Sequence, residues 1–177
     1  MHRSRLAAFS AAVAAGLLAA CASAPLPPAG TEADVYYRYE RAMNRGDLEG
    51  IMALVADDAT FDNPGRCRPN PCRGKEVIRS FIKETAIDVN GRLKTIDVKS
   101  RPGEVDARVE FTSEKVRGSG IDRIVGNERW KVGDGKIKVF EFAIDGSDAQ
   151  SKAYIGSLQH AAAQEAARRA SARQPRQ

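Results

Sequence analysis

The candidates for chemistry in the middle of this chain are phenol, amide and carboxyl groups, because its two histidines lie near the ends, at His2 and His160. A histidine base, a histidine-containing catalytic triad and most zinc sites are therefore excluded from the central region. What remains supports hydrogen bonding and carboxyl acid–base chemistry, and the sequence predicts no cofactor and no metal. The residues that could carry it are Tyr39, Asp62, Asn63 and Glu128.

Tyr39 belongs to the apolar stripe of a predicted helix over Glu32–Arg45, where Val35, Ala42 and Met43 recur at helical spacing. We therefore expect its ring to face inward. A buried phenol needs a partner, so Tyr39 either donates to a ligand carbonyl or oxyanion or is a core tyrosine bonded to a backbone carbonyl.

Asp62 and Asn63 end a predicted strand over Ala59–Asn63, and alternation places them on opposite faces. Asn63 shares its face with Phe61. Its amide cannot accept a proton at neutral pH, but it can hydrogen-bond a ligand. Asp62 would reach the same face only through a bulge.

Glu128 shares a strand face with Trp130, so it faces inward if the indole does. A carboxyl in an apolar pocket has a raised pKa and can donate a hydrogen bond. The alternative, which we favour because inward glutamates usually find a partner, is a glutamate at the rim of the sheet paired with an arginine.

The elements that position these residues are three helices, with the short strand Ala59–Asn63 before the third, and then four long strands. Gly46 ends the first helix, Asp47 caps a second through Leu54, and Lys75–Lys83 forms a third. The inward residues of the third helix are Val77, Ile78, Phe81 and Ile82.

After Gly91 the hydrophobic period changes to two. The predicted strands are Arg92–Arg101 (with Ile96 and Val98 partly buried), Glu104–Phe111, Ile121–Val132 and Lys136–Ile144, separated by turns at 118–120 and 133–135. The last strand changes its inward set and so predicts a bulge. The fold class is α+β, a cone-like fold with three N-terminal helices packed on a curved antiparallel sheet.

The N-terminal residues 1–20 resemble a bacterial lipoprotein signal, with a basic start, an apolar core and Cys21 directly after Leu18-Ala19-Ala20. The resemblance implies a lipid anchor at Cys21, an extended tether over 21–31, and a place in the cell envelope on the periplasmic face of the outer membrane. The alternative is a plain signal peptide cut after Ala22 or Ala24.

The remaining cysteines, Cys67 and Cys72, predict a disulfide outside the cytoplasm, with metal binding or a redox-active pair as weaker alternatives. Residues 147–177 form a basic tail rich in Ala, Arg and Gln, predicted to begin as a helix around Tyr154 and Leu158 and to fray. Since the charge lies at the ends, the central region lacks the footprint of a nucleic-acid binder.

The stretch RYERAMNRGDLEGIMALVADDATFDNP, continued by RGKEVIRSFI, resembles the ketosteroid isomerases of the nuclear transport factor 2 (NTF2)-like superfamily, which includes the SnoaL-like polyketide cyclases. The resemblance covers residues 32–146. It implies that Tyr39 is the isomerase tyrosine and that Asn63, before Pro64, stands where the isomerases have an aspartate base. Glu128 falls at or beside their second acid.

Three functions follow as hypotheses. The chain is a binding module for a small apolar molecule, an isomerase- or cyclase-type enzyme using Glu128 or a re-aimed Asp62, or an interaction protein that dimerises or binds a partner through the sheet. We place the non-catalytic hypotheses first because Asn63 is not a base. The expected ligand contacts are Tyr39, Phe61, Asn63, Phe111, Glu128 and Trp130.

Overall fold

The architecture comes from a computed structural model, which describes residues 27–64 and 66–172; the predicted signal segment, Cys21 and the start of the predicted tether lie outside these residues. The helices are α1 (Glu32–Arg45), α2 (Leu48–Leu54), α3 (Lys75–Ile82, continued by a π-helical turn, Lys83–Ile87), α4 (Glu114–Gly118) and α5 (Ala149–Ala172). The strands are β1 (Val55–Asp62), β2 (Cys72–Arg73), β3 (Arg92–Arg101), β4 (Glu104–Thr112), β5 (Ile124–Gly133) and β6 (Lys136–Ile144).

Local signals set the bounds of α1 and α2 as the sequence predicts. The Thr31 hydroxyl accepts from the backbone N–H of Asp34 at the start of α1, and Gly46 ends it in the left-handed conformation, with φ of 70°. The Asp47 carboxylate then accepts from the N–H of Gly50 at 2.8 Å and caps α2.

The six strands form one sheet in the order β2-β1-β6-β5-β4-β3, in which β1 runs parallel to β6 and all other neighbours are antiparallel. The helices pack on one face, so the predicted α+β class is confirmed. The predicted bulge is also present: Lys131 pairs with Val139 but Val132 pairs with Ile137, which leaves Lys138 as an extra residue in β6.

Aromatic rings fill the centre between α1 and the sheet. The Trp130 indole is fully buried, and its ring centroid lies 5.3 Å from Tyr36, 4.8 Å from Tyr39 and 5.4 Å from Phe140. All three contacts are edge-to-face, the geometry that aromatic pairs favour. The predicted inward orientation of Tyr39 and Trp130 is therefore found.

Two apolar residues predicted to face the core are exposed instead, Val77 at 45% and Ile96 at 47%. Ile96 lies where the pairing of β3 with β4 shifts register, so it leaves the inward alternation. Val77 lies beside the buried stripe of α3, which contains Ile78 and Phe81. The bounds differ as well: β1 begins at Val55 and β5 at Ile124, and β2 and α4 were not predicted.

The predicted disulfide joins Cys67 and Cys72, whose Cα atoms are 4.9 Å apart. Both cysteines are buried, and Cys72 pairs with Phe61 where β2 meets β1. The bridge therefore holds the loop that follows Asn63 against the edge of the sheet.

Helix α5 extends the helix predicted around Tyr154 and Leu158 as far as Ala172. Its start is held by Ser151, whose hydroxyl accepts from the N–H of Val125 at 2.7 Å and donates to Asp148 at 2.8 Å. From residue 159 to residue 172 the helix is exposed. Among the described residues, no helix combines the length and apolar character needed to cross a bilayer.

Polar side chains of α1 satisfy the outer backbone groups of β3, the strand at one edge of the sheet. The Asn44 amide donates to the carbonyl of Leu93 and accepts from its N–H, both at 2.7 Å. Glu40 accepts from the N–H of Thr95 at 3.0 Å, and in the turn after β3 Glu32 accepts from the N–H of Gly103 at 2.8 Å. These bonds fix the helix to the strand edge.

We expect Asn44→Ala to lower the free energy of unfolding by about 1–3 kcal/mol, because it leaves the N–H and the carbonyl of buried Leu93 without partners. Urea denaturation measures the change. Arg41→Ala, an exposed substitution on the same helix, is the control and should stay within about 0.5 kcal/mol of the wild type. Equal stability of the two variants would contradict the role given to Asn44.

Candidate functional site

A cavity of about 340 Å³ lies between α1, the π-helical turn, the inner face of the sheet and the first half of α5. This size is within the range of small-molecule sites. Among the described residues, its lining consists of Tyr39, Met43, Asn63, Pro64, Arg66, Phe81, Ile82, Glu84, Thr85, Ala86, Leu93, Phe111, Ser113, Lys115, Val116, Ile124, Glu128, Phe140, Phe142, Ile144, Tyr154 and Leu158.

Tyr39 and Glu128 form the buried polar end of the cavity, with 4% and 5% of their surfaces exposed. The Tyr39 hydroxyl makes no hydrogen bond within the described part of the chain, so the core-tyrosine alternative, with its backbone carbonyl partner, is not what the structure has. Burial, and then the nearby Glu128, raise the pKa of Tyr39. The phenol therefore stays protonated and is free to donate to a ligand.

Glu128 is buried and accepts a hydrogen bond from the indole Nε1 of Trp130 at 3.1 Å. Burial raises its pKa to about 8; the Trp130 bond acts in the opposite direction, and the charge of Glu40 adds a smaller increase. At neutral pH most of the carboxyl is thus protonated, and its O–H can donate.

The favoured expectation for Glu128, a rim position with an arginine partner, is wrong. Its partner is the indole of Trp130, two residues along the same face of β5. The neighbouring Arg129 points to the other face, where it pairs with Asp106 at 3.4 Å and Glu141 at 4.0 Å. The buried indole provides the partner that we expected from an arginine.

Asn63 and Asp62 lie on opposite sides of the sheet, as alternation predicts. Asn63 lines the cavity. Asp62 lies in a shallow charged groove on the outer face and pairs with Arg68 at 2.6 Å. No bulge turns Asp62 inward within β1 beyond Thr60, so its carboxylate cannot reach a ligand in the cavity.

Of the other expected ligand contacts, one lines the cavity and two lie behind its wall. Phe111 lines the cavity, whereas Phe61 and Trp130 lie behind the lining in the core. Phe61 packs on Phe140, with ring centroids 4.9 Å apart, and Trp130 acts on the cavity through its bond to Glu128.

Sequence reasoning missed the residues at the mouth of the cavity. The α5 contribution could have been found, since Ser151, Tyr154 and Leu158 follow a helical i, i+3, i+7 spacing and so share one face. Lys115 had no such signal, because the sequence predicts no helix or strand between Phe111 and the turn at 118–120. In the described chain, no cluster of three acidic, histidine or cysteine side chains could hold a metal ion.

A family model for the SnoaL-like domain matches residues 36–140, which is more than half of the chain. The chain belongs to the SnoaL-like domain family. The match spans α1 to the middle of β6, so it includes the elements that carry Tyr39, Asn63 and Glu128.

Solved structures share the fold of this SnoaL-like domain. The Δ5-3-ketosteroid isomerase of Mycobacterium sp. is 20% identical, with a TM-score of 0.55 over 64% of this chain and 92% of that one. A Mycobacterium tuberculosis protein in complex with estradiol-17β-hemisuccinate is 18% identical, with a TM-score of 0.54 over 63% and 91%. An NTF2-like protein of unknown function from Mesorhizobium loti is 15% identical, with a TM-score of 0.56 over 68% and 97%. These identities establish the NTF2-like fold alone.

The cavity of this SnoaL-like domain presents hydrogen-bond donors at its buried end and an amide at position 63. Tyr39 and Glu128 offer two O–H donors at its buried end. Asn63 adds an amide, which does not accept a proton at neutral pH. Among the described lining residues the second carboxyl is Glu84, whose pKa is lowered by hydrogen bonds from Arg66 and Ser80 at the mouth.

We expect the buried Glu128 to make stability fall as pH rises. Below about pH 4.5 the carboxyl is protonated in both states; between about 4.5 and 8 the unfolded chain releases its proton while the folded chain keeps it. The folded state then binds more protons, and the free energy of unfolding decreases by at most about 1.4 kcal/mol per pH unit.

Glu128→Gln removes this titration and keeps an acceptor for the indole. Urea denaturation of both proteins between pH 5 and 8 should show the wild type losing stability relative to the variant. The comparison cancels all other titrating groups. If the free energies of unfolding of the two proteins change in parallel with pH, the raised pKa of Glu128 is contradicted. If the wild type gains stability relative to the variant as pH rises, Glu128 is an ion-paired carboxylate.

Proposed function

We propose that this chain is an envelope lipoprotein whose SnoaL-like domain binds a small apolar ligand without converting it. The observation that carries the proposal is the cavity itself, an apolar chamber with two buried donors at one end and an amide at position 63. A ligand with a carbonyl or hydroxyl oxygen on an apolar body fits this chemistry. Two solved structures of this fold, a computationally designed 17-OHP binder and the Mycobacterium tuberculosis protein in complex with estradiol-17β-hemisuccinate, are steroid-binding proteins.

The second candidate is an isomerase- or cyclase-type enzyme acting on a ketosteroid- or polyketide-like substrate. The pKa of Glu128, about 8, favours it, because an acid–base group works best when it titrates near the operating pH. In this role Glu128 would transfer the proton and Tyr39 would hold the substrate oxygen. The proposal of a binder stands first because an enzyme of the isomerase pattern needs a base where this chain has Asn63.

The third candidate is a protein partner or a second copy on the outer face of the sheet. This face carries a charged groove lined by Asp62, Arg68, Asp97, Lys99, Asp106, Arg108, Arg129 and Glu141, among others. Apart from the buried Glu128, the groove has four acidic and four basic residues, and several of them pair with one another. Such a face suits a polar, self-complementary contact better than an apolar one.

The lipid anchor rests on the sequence of residues 1–21, with its basic start, apolar core and Cys21. The proposed place is the periplasmic face of the outer membrane. About ten residues would then separate the lipid from α1, which begins at Glu32, and this keeps the domain close to the bilayer surface.

We expect the wild type to bind a β,γ-unsaturated ketosteroid without converting it. Asn63→Asp places a carboxylate in the cavity and should raise turnover above background by roughly 10²–10⁴-fold, the typical worth of a positioned base. Absorbance of the conjugated product measures turnover. The control is Asn63→Asp combined with Tyr39→Phe, which should lose most of that gain.

Turnover by the wild type that Glu128→Gln abolishes would overturn the binder and favour the enzyme. If the purified chain carries no ligand by native mass spectrometry and binds no steroid, the interaction hypothesis takes its place.

We expect the chain produced in a bacterial envelope to partition into the detergent phase of a Triton X-114 separation and to carry a lipid mass on Cys21. Cys21→Ser should move it to the aqueous phase, because the lipid has no other attachment point in a signal of this type. Lys99→Met is a matched surface control and should partition like the wild type. A mature N-terminus after Ala22 or Ala24 would show a plain secretory signal instead.

A further inference from the structure

The two buried donors and the two cations that line the cavity differ in burial, and this difference defines its inner end and its mouth. Tyr39 and Glu128 are almost fully buried, whereas Arg66 and Lys115 are exposed at the mouth. Between them the wall is apolar, built mainly from phenylalanine, leucine and isoleucine side chains. A ligand that uses both ends therefore has two separate polar groups on one apolar body.

The two cations at the mouth differ in what they contact. Arg66 is held by acidic and hydroxyl partners: its guanidinium pairs with Glu84 at 2.5 Å and donates to Ser80 at 3.3 Å. Lys115 has no acidic partner within 4.0 Å among the described residues. Since Glu84 neutralises Arg66, the net charge at the mouth comes from Lys115.

The backbone that carries Lys115 is fixed in place. Ser113 caps α4 through a hydrogen bond from the N–H of Val116 at 3.1 Å, and both residues line the cavity. The adjacent Glu114 is held by the Asn90 amide and does not pair with the lysine. The stem of Lys115 can thus lie along the apolar wall while its ammonium group remains at the opening.

We propose that the ligand is an amphipathic carboxylate, with a carbonyl or hydroxyl oxygen at its inner end and its anionic group held by Lys115. This inference rests on the proposed function, since it names the class of ligand for the same cavity. Tyr154 lines the cavity too, and its hydroxyl has no hydrogen-bond partner within the described chain, so it offers a second donor.

Two matched steroids test the contribution of the charged mouth separately from that of the buried donors. The acid probe is 3-oxo-4-androstene-17β-carboxylate, which has a ketone at one end and a carboxylate at the other; the neutral probe is its methyl ester. Calorimetric titration of the purified chain at low salt should show the acid binding about two- to fivefold more tightly, as expected for one partly exposed ion pair. High salt should reduce this preference and leave ester binding unchanged.

Variants then test whether the preference for the acid over the ester comes from the charged residues at the mouth. Lys115→Met should make the two probes bind equally without weakening the ester, whereas Lys99→Met on the outer face should keep the preference of the wild type. Glu84→Gln should increase the preference, because it removes a negative charge and frees Arg66. Opposite effects of Lys115→Met and Glu84→Gln cannot come from loss of folding.

The outcomes also separate this inference from the proposed function. Equal binding of acid and ester by the wild type, or a preference that survives Lys115→Met, overturns the carboxylate ligand and leaves an apolar binding cavity. Failure of both probes to bind overturns both proposals.

Discussion

The buried indole of Trp130 needs one hydrogen-bond acceptor, and this need determines where the polar end of the cavity lies. A buried donor without a partner costs about 1–3 kcal/mol. The rings of Tyr36, Tyr39 and Phe140 surround the indole, and the acceptor is supplied by Glu128 on the same strand face. The packing that holds the indole therefore also places a carboxyl in an apolar wall, with Tyr39 beside it.

Helix α1 connects this centre to the edge of the sheet. Its polar residues, Glu40 and Asn44 among them, satisfy backbone groups of β3 that would otherwise be unpaired at an edge. Its apolar stripe, with Tyr39 and Met43, lines the cavity. The position of the Tyr39 hydroxyl thus depends on bonds made by the opposite side of the same helix. A change at the strand edge that shifts α1 would therefore also shift Tyr39.

The features that could be predicted from the sequence are those determined by neighbouring residues in the chain. The bounds of α1 follow from Thr31 and Gly46, and the opposite orientations of Asp62 and Asn63 follow from the period of a strand. The inward face of Glu128 follows from parity with Trp130, but its partner does not, because a buried glutamate predicts a charged partner and the structure supplies a neutral donor.

Features that depend on contacts between distant segments were not predictable in this way. Ile96 is exposed because β3 shifts its register against β4, and nothing in the alternation of β3 marks the shift. The mouth of the cavity combines the disulfide loop, α4 and α5, which are distant in sequence. Periodicity describes each of these segments by itself and cannot show that Lys115 and Arg66 line the same cavity.

Burial and the Trp130 bond act in opposite directions on Glu128. The indole N–H favours the charged carboxylate and burial favours the neutral acid; burial is the larger effect, so the neutral form predominates at neutral pH. A neutral carboxyl that accepts from the indole through one oxygen keeps its own O–H for a ligand, as Tyr39 keeps its phenol. Two uncharged donors attract a carbonyl oxygen without requiring a counter-charge in the apolar wall. The donor pair does not depend on Asn63, so under the proposed function a ligand is bound without a base at position 63.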